Sequence, residues 1–348
     1  MSQPGEVLPV AIPTVATPVW PGPSRSDYLE LRRRIREEGL LDRRPRYYAA
    51  KIAVTSCLLA AGWVGFVLLG DSWYQVGVAV YLAVVFGQIG FLGHEAGHRQ
   101  VFRSRRANDA VGFVHANLVI GLSYGWWMGK HNRHHAFPNQ PDKDPDITIP
   151  AIAFTRDQAR GRRGLARFLA RHQAYLFFPM VLLEAVSLHL ISVAAVLRGP
   201  VRNRRLEGLL LGVHCAAYFG AVLLVLSPVR AIVFIAVHQG LLGLYLGCAF
   251  APNHKGMPVM SEQDSADFLR RQVLTSRNVT GGAVVETLLG GLNYQIEHHL
   301  FPGMPRPSLR RCRVVVRAFC AQIGVLYCEK GLVSSYSDVL RNLHAAGQ

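Results

Sequence analysis

The chain has 348 residues, half of them hydrophobic and 17% charged, with 38 basic against 22 acidic side chains for a net charge of +16. That composition excludes an ordinary soluble domain and fits a membrane protein with parts in water. The basic residues flank apolar segments and do not form one tract, which argues for an anionic membrane surface and against a nucleic-acid partner. Of the 38 basic residues 33 are arginine, a bias expected of a GC-rich bacterial genome. The six cysteines include no CxxC pair and read as small buried hydrophobes.

Residues 1–26, rich in Pro, Val and Ser, lack the apolar run of a signal peptide and are expected to form a flexible lead-in. Residues 27–348 are expected to form one domain. Two apolar stretches, 52–69 and 73–92, are separated by Gly70, Asp71 and Ser72 and predict a transmembrane hairpin. Arg32, Arg33, Arg34, Arg36, Arg43, Arg44 and Arg46 precede it, so the positive-inside rule puts the N-terminus in the cytosol and returns the chain there after residue 92. The stretch 108–127, broken by glycines and His115, is expected at the interface.

Residues 174–197 are apolar but contain Pro179, Glu184 and His189, and Arg198, Arg202, Arg204 and Arg205 follow. A full crossing there would place those arginines outside. The segment is therefore expected to dip into the cytosolic leaflet and return. Stretches 209–226 and 231–250 then form a second hairpin. The expected architecture is all-α: four spans in two hairpins, interfacial helices, both termini cytosolic, and a helical cap over 308–348 with basic and apolar faces.

Seven of the fourteen histidines fall in three clusters on the cytosolic side of this topology: His94 and His98 in "GHEAGHR", His131, His134 and His135 in "KHNRHHAFPN", and His298 and His299 in "YQIEHHLFP". Imidazoles four apart on a helix share a face, and neutral imidazole is a ligand for iron, copper and zinc. Seven nitrogens exceed what one ion takes and suit two. His115, His189, His214 and His238 lie in apolar stretches and read as hydrogen-bonded core residues. The HEAGH run also fits the HExxH zinc-protease pattern with Glu95 as general base, but that pattern leaves five clustered histidines without a role.

HxxxH, HxxHH and a distant QxxHH resemble the boxes of membrane fatty acid desaturases, in particular the subgroup with Gln in the third box. That subgroup includes front-end and linoleoyl-CoA-desaturase-like bacterial enzymes. The segments "HHAFPNQPDKDPDI", "FAPNHKGMP", "QVLTSRNV" and "YQIEHHLFP" extend the likeness, which runs from about residue 27 to the C-terminus. The resemblance implies two non-haem iron ions held by His94, His98, His131, His134, His135, His298 and His299, with His254 as an extra ligand. Gln295 takes the place of a first box histidine, as a ligand or as a hydrogen-bonding neighbour. Glu95, Asp144, Asp146 and Glu297 are candidates for orienting the ligand rings.

The implied reaction is O2-dependent insertion of a cis double bond into a long-chain acyl substrate, carried as acyl-CoA or acyl-lipid. A hydroxylase or ketolase is the alternative on the same fold. Trp126, Trp127, Arg103 and Lys130 are the candidates for contacting substrate. The chain contains no His-Pro-Gly-Gly stretch, so the electron donor is expected to be a separate protein of the ferredoxin–reductase type. The expected location is a bacterial cytoplasmic membrane.

Overall fold

The computed structural model describes residues 25–348 except 262, 263 and 265. The expected lead-in lies outside the described residues up to residue 24; Arg25 and Ser26 already belong to the first helix, α1 (Arg25–Glu37). Two long apolar helices follow, α2 (Pro45–Leu69) and α3 (Gln75–Gly97). The turn between them is fixed by Gln75, whose Nε2 donates to the carbonyls of Phe66 (2.6 Å) and Gly70 (2.8 Å). Helix α3 runs beyond the apolar stretch, so His94 lies on it and His98 caps its end.

The segment expected at the interface folds as α4 (Arg105–Gly112) and a π-helical turn, Phe113–Val119. Both pack against α3, and the π turn also packs against a later long helix. Asn117 is fully buried there while Val114 on the same turn is exposed, so the segment buries one face against the helices. Next come α5 (Tyr124–Ala136), which carries the second box, and the short α6 (Arg156–Arg160).

Residues 174–197 do not form one straight helix. They are divided between α7 (Gly164–Val181) and α8 (Glu184–Arg198), which meet at 81°. Pro179 removes a backbone donor near the end of α7 and weakens the helix at the corner. Helices α9 (Arg204–Val225) and α10 (Pro228–His254) complete the apolar set. Among the described residues, four helices (α2, α3, α9 and α10) are long and apolar enough to cross a membrane. Helix α10 packs along α3 and across α8; Phe86, Ile89, Phe234, Leu242 and Leu246 share one buried core.

The remainder comprises α11 (Phe268–Leu274), α12 (Gly282–Leu288), α13 (Gln295–Leu300), α14 (Arg306–Gln322) and α15 (Leu332–Gly347). It also carries one short β pairing within the otherwise helical fold. Strands β1 (Asn278–Thr280) and β2 (Glu329–Gly331) pair in parallel, with Asn278 opposite Glu329. Three-residue strands have too little alternation to be read from sequence. Helices α1, α11, α13 and α14 close a second core around Leu31, Ile35, Leu269, Ile296, Leu300, Leu309 and Val316.

Helix α10 touches the α7–α8 corner backbone to backbone at Gly243, where an added Cβ would stand 2.8 Å from the Val181 carbonyl oxygen and 2.9 Å from the Ala185 nitrogen. Backbone cannot move aside as a side-chain tip can. Gly243→Val is therefore expected to destabilise the detergent-solubilised protein by about 1–3 kcal/mol or more. Gly77→Ala, at a site with nothing within 4 Å, is expected to leave the thermal midpoint lowered only slightly or not at all. Equal midpoints for the two variants would show that this contact is not needed.

Candidate metal centre and acyl cavity

The three histidine clusters come from α3, α5 and α13, and a fourth element, α10, adds His254 at its last residue. Each box histidine is buried or half-buried. Their Nε2 atoms converge. His131 Nε2 lies 3.1 Å from that of His94, 2.9 Å from that of His98 and 3.0 Å from that of His135. His254 Nε2 lies 3.3 Å from that of His134 and 3.0 Å from that of His299. Two groups result, His94, His98, His131 and His298, and His134, His254 and His299. His135 bridges them: its ring stacks on His299 with centroids 4.2 Å apart.

The outward nitrogens of His134, His254 and His299 are tied down, whereas His135 Nδ1 is buried without a partner. His134 Nδ1 lies 3.0 Å from both oxygens of Asp144, and 3.5 Å from Asp146. His254 Nδ1 donates to the Thr275 carbonyl (2.9 Å), and His299 Nδ1 donates to Gln272 Oε1 (2.8 Å). A proton on Nδ1 leaves the Nε2 lone pair free for a metal. Burial holds His98 down to about 3. Burial and the neighbouring imidazoles hold His131, His135, His298 and His299 well below the ordinary histidine range. These rings are therefore neutral, the form that ligates. For His134 burial opposes the charge, but Asp146 and Asp144 outweigh it and raise its pKa.

A metal fits this arrangement. Nitrogens bound at about 2.1 Å and at right angles to one another stand about 3 Å apart, which matches the spacings above. His298 Nε2 is buried without a hydrogen-bond partner, an unusual cost unless something occupies the group.

Of the four carboxylates expected to orient the rings, Asp144 and Asp146 do face one. Glu95 and Glu297 do not. Glu95 binds Lys51 through both oxygens (2.6 and 2.7 Å), across from α3 to α2. Engaged there, it is not placed as the base of an HExxH protease. Glu297 points away from the histidines and accepts from Asn278 Nδ2 (2.8 Å) and the Tyr327 hydroxyl (2.6 Å); burial pushes its carboxyl up to about 7. In a six-residue helix the residues beside a clustered histidine point to other sides, which a sequence window does not reveal.

The amide of Gln295 reaches to 2.9 Å from His254 Nε2, and its Oε1 accepts from Asn253 Nδ2 (3.1 Å). It borders the second group.

Sequence reasoning missed several residues. Arg277, one of the largest fully buried side chains, donates to the carbonyls of Pro252 (2.6 Å) and Lys255 (2.8 Å) and pairs with Asp338 (2.8 Å). It thereby ties down the end of α10 that bears His254. Gln272, Thr275 and Arg277 all lie in or beside the "QVLTSRNV" segment. Helix α13 is delivered by a turn at Gly290 (φ 64°) and Gly291 (φ 84°), a left-handed conformation that suits glycine.

A cavity of about 240 Å³ passes the histidines. Its apolar wall includes Gly93, Ile120, Leu122, Leu188 and Leu246; Trp126, Trp127, Lys130, Asp146, Glu184 and Lys255 supply its polar part. Trp127 also stacks on His131 at 4.5 Å. Arg103 does not reach the cavity. It is exposed on the turn after α3, and its charge is felt by Arg43.

Apolar spans, buried imidazoles in two groups and a largely apolar cavity beside them define an integral membrane protein with a metal-compatible site next to that cavity. The comparisons with known proteins agree. A model of the family "Fatty acid desaturase" matches residues 71–331. The chain is 33% identical over 329 residues to an acyl-lipid (9-3)-desaturase of Physcomitrium patens, covering 91% of this chain and 62% of that protein. It is 30% identical to a Delta(6)-fatty-acid desaturase of Caenorhabditis elegans, covering 89% and 71%. A Delta(5) fatty acid desaturase of the same organism is also 30% identical, covering 86% and 69%. The chain belongs to the fatty acid desaturase family.

Asp144→Ala is expected to lower metal affinity about 10–100-fold by releasing the His134 ring. Metal analysis of the purified chain after dialysis checks this; an undiminished content would separate the Asp144–His134 pair from the site.

Proposed function

We propose that the chain is an O2-dependent fatty acid desaturase that inserts a cis double bond into a long acyl chain held in the cavity. The carrying observation is the convergence of seven imidazoles into two neighbouring groups with His135 between them, four of which (His94, His131, His134 and His254) line that cavity. The residues that would hold two iron ions are His94, His98, His131 and His298 in one group and His134, His254 and His299 in the other, with His135 between them. Gln295 borders the second. Two such ions, with O2, supply an oxidant strong enough to take hydrogen from an unactivated methylene, which side chains alone cannot. The balance is one O2, two electrons, two protons and two substrate hydrogens for two waters and one alkene.

The chain's own residues do the rest. Asp144, Thr275 and Gln272 keep the Nδ1 protons outward. Ile120, Leu122, Leu188 and Leu246 hold the alkyl part and exclude water. Lys130 and Lys255, each next to a ligand histidine in sequence, line the same cavity with Asp146 and suit the polar end of the substrate. A polar head held so near the histidines favours a double bond on the carboxyl side, in keeping with the Delta(5) and Delta(6) relatives. The electrons come from a separate carrier protein.

We further infer that α2–α3 and α9–α10 cross the bilayer as two hairpins, with α7–α8 re-entrant. Both termini and the helices around α13 and α14 then lie on the cytosolic face of a bacterial cytoplasmic membrane. The 81° corner and the arginines at 198–205 support that sidedness. The domain runs over residues 27–348.

Expressed in a host with saturated lipids, the chain is expected to produce a new cis double bond detectable by mass spectrometry. His134→Ala and His298→Ala should insert normally and yield none, and Gln295→Ala should lose less activity than His299→Ala. Product from the His298 variant would refute the site; a product sixteen mass units heavier would identify a hydroxylase. In the same cells a reporter fused after Leu197 should map to the cytosol, and an external signal would overturn the re-entrant topology.

A further inference from the structure

Glu207 stands in the first turn of α9, one of the apolar helices, yet it is 1% exposed. No lysine or arginine pairs with it among the described residues. A carboxylate so placed is costly unless donors surround it. Here they do. Ser123 Oγ donates to it at 2.6 Å, Asn117 Nδ2 at 3.1 Å and the Gly125 backbone N–H at 3.2 Å. All three donors belong to the stretch that ends the π turn and begins α5. Two more bonds lock that stretch: the Tyr124 N–H donates to Asn117 Oδ1 (3.2 Å), and the Ser123 N–H donates to Ser192 Oγ on α8 (3.0 Å). The carboxylate thus sits at the N-terminus of its own helix and at that of α5, where both backbones favour negative charge.

Helix α5 carries His131, His134 and His135, and its residues Tyr124, Trp126, Trp127 and Lys130 line the cavity. Its far end is held by the Asp144–His134 pair. Its near end has Glu207. The fit is close: a Cβ on Gly125 would stand 2.3 Å from Glu207 Oε1.

We propose that Glu207 is a positioning residue for the desaturation reaction: it anchors the start of α5 and so sets where His131 and the cavity wall stand relative to each other. This rests on the desaturase reading above. Loss of the anchor should let the first turns of α5 shift while the His134–His254–His299 group, held from its other side, persists.

The experiment uses the full chain in membranes and in detergent. Glu207→Ala and Glu207→Gln are expected to lower kcat about 10–100-fold per folded chain and to reduce bound iron per chain. The residual product should be spread over neighbouring double-bond positions. In the metal-free protein, a protease should cut residues 117–125 faster than in wild type. The double variant Asn117→Asp, Glu207→Gln exchanges acceptor and donor across the same pair and should recover activity over Glu207→Gln alone.

Wild-type kcat, iron content and product position in Glu207→Ala would overturn the proposal. So would a loss explained wholly by fewer folded chains, with product position unchanged and no recovery in the double variant. If Glu207→Ala does not fold, Gly125→Ala, which keeps the carboxylate but displaces the start of α5, should give the same spread of products; a single unchanged position overturns the proposal. A wild-type chain with neither iron nor alkene product would instead defeat the desaturase reading, while the protease comparison would still test the anchor.

Discussion

Eight imidazoles from four helices can share one small volume only if none is charged and each ring is turned the same way. Protonated rings 3 Å apart would repel strongly in a medium that screens little. Burial meets the first condition at His98, His131, His135, His298 and His299 by disfavouring the cation, whereas at His134 the carboxylates of Asp146 and Asp144 work against it. The second is met from outside, where a carboxylate, a carbonyl and an amide accept from the outward N–H of His134, His254 and His299. Much of the rest of the fold serves these acceptors. Thr275 and Gln272 lie on or beside α11, which packs on α13, and Asp144 is held by the backbone N–H groups of Asn139 and Asp146.

The apolar helices contribute direction more than ligands. Helix α3 ends in the first box and α10 ends in His254, so two long rods deliver nitrogens to one place. The bent pair α7–α8 lies against α10 at Gly243 and lines the cavity with Val181, Glu184 and Leu188. One corner therefore sets both the packing of α10 and the shape of the channel beside the histidines.

The four apolar helices and the seven box histidines were legible because their signals are local: long apolar runs, and imidazoles at helical spacing. His254 was legible only through the family resemblance of the segment that follows the last apolar run. Other features depend on which way a side chain points. Glu95 adjoins His94 in sequence yet turns to Lys51, while Asp144, ten residues past His134, reaches back to it. Arg277, Gln272 and Glu207 act across distances in sequence that no window spans. The two short strands, and the boundaries of α2 and α3, were set by pairing and packing and not by hydropathy.

The β1–β2 pairing has a consequence for how the protein is made. Helix α13 is held through Asn278, Glu297 and Tyr327, and the strand that aligns Asn278 is completed only by residues 329–331. During synthesis the apolar helices emerge long before that strand. The first two boxes can thus be in place while the third still lacks its support, so the histidine cluster is completed only at the final stage of translation or after it.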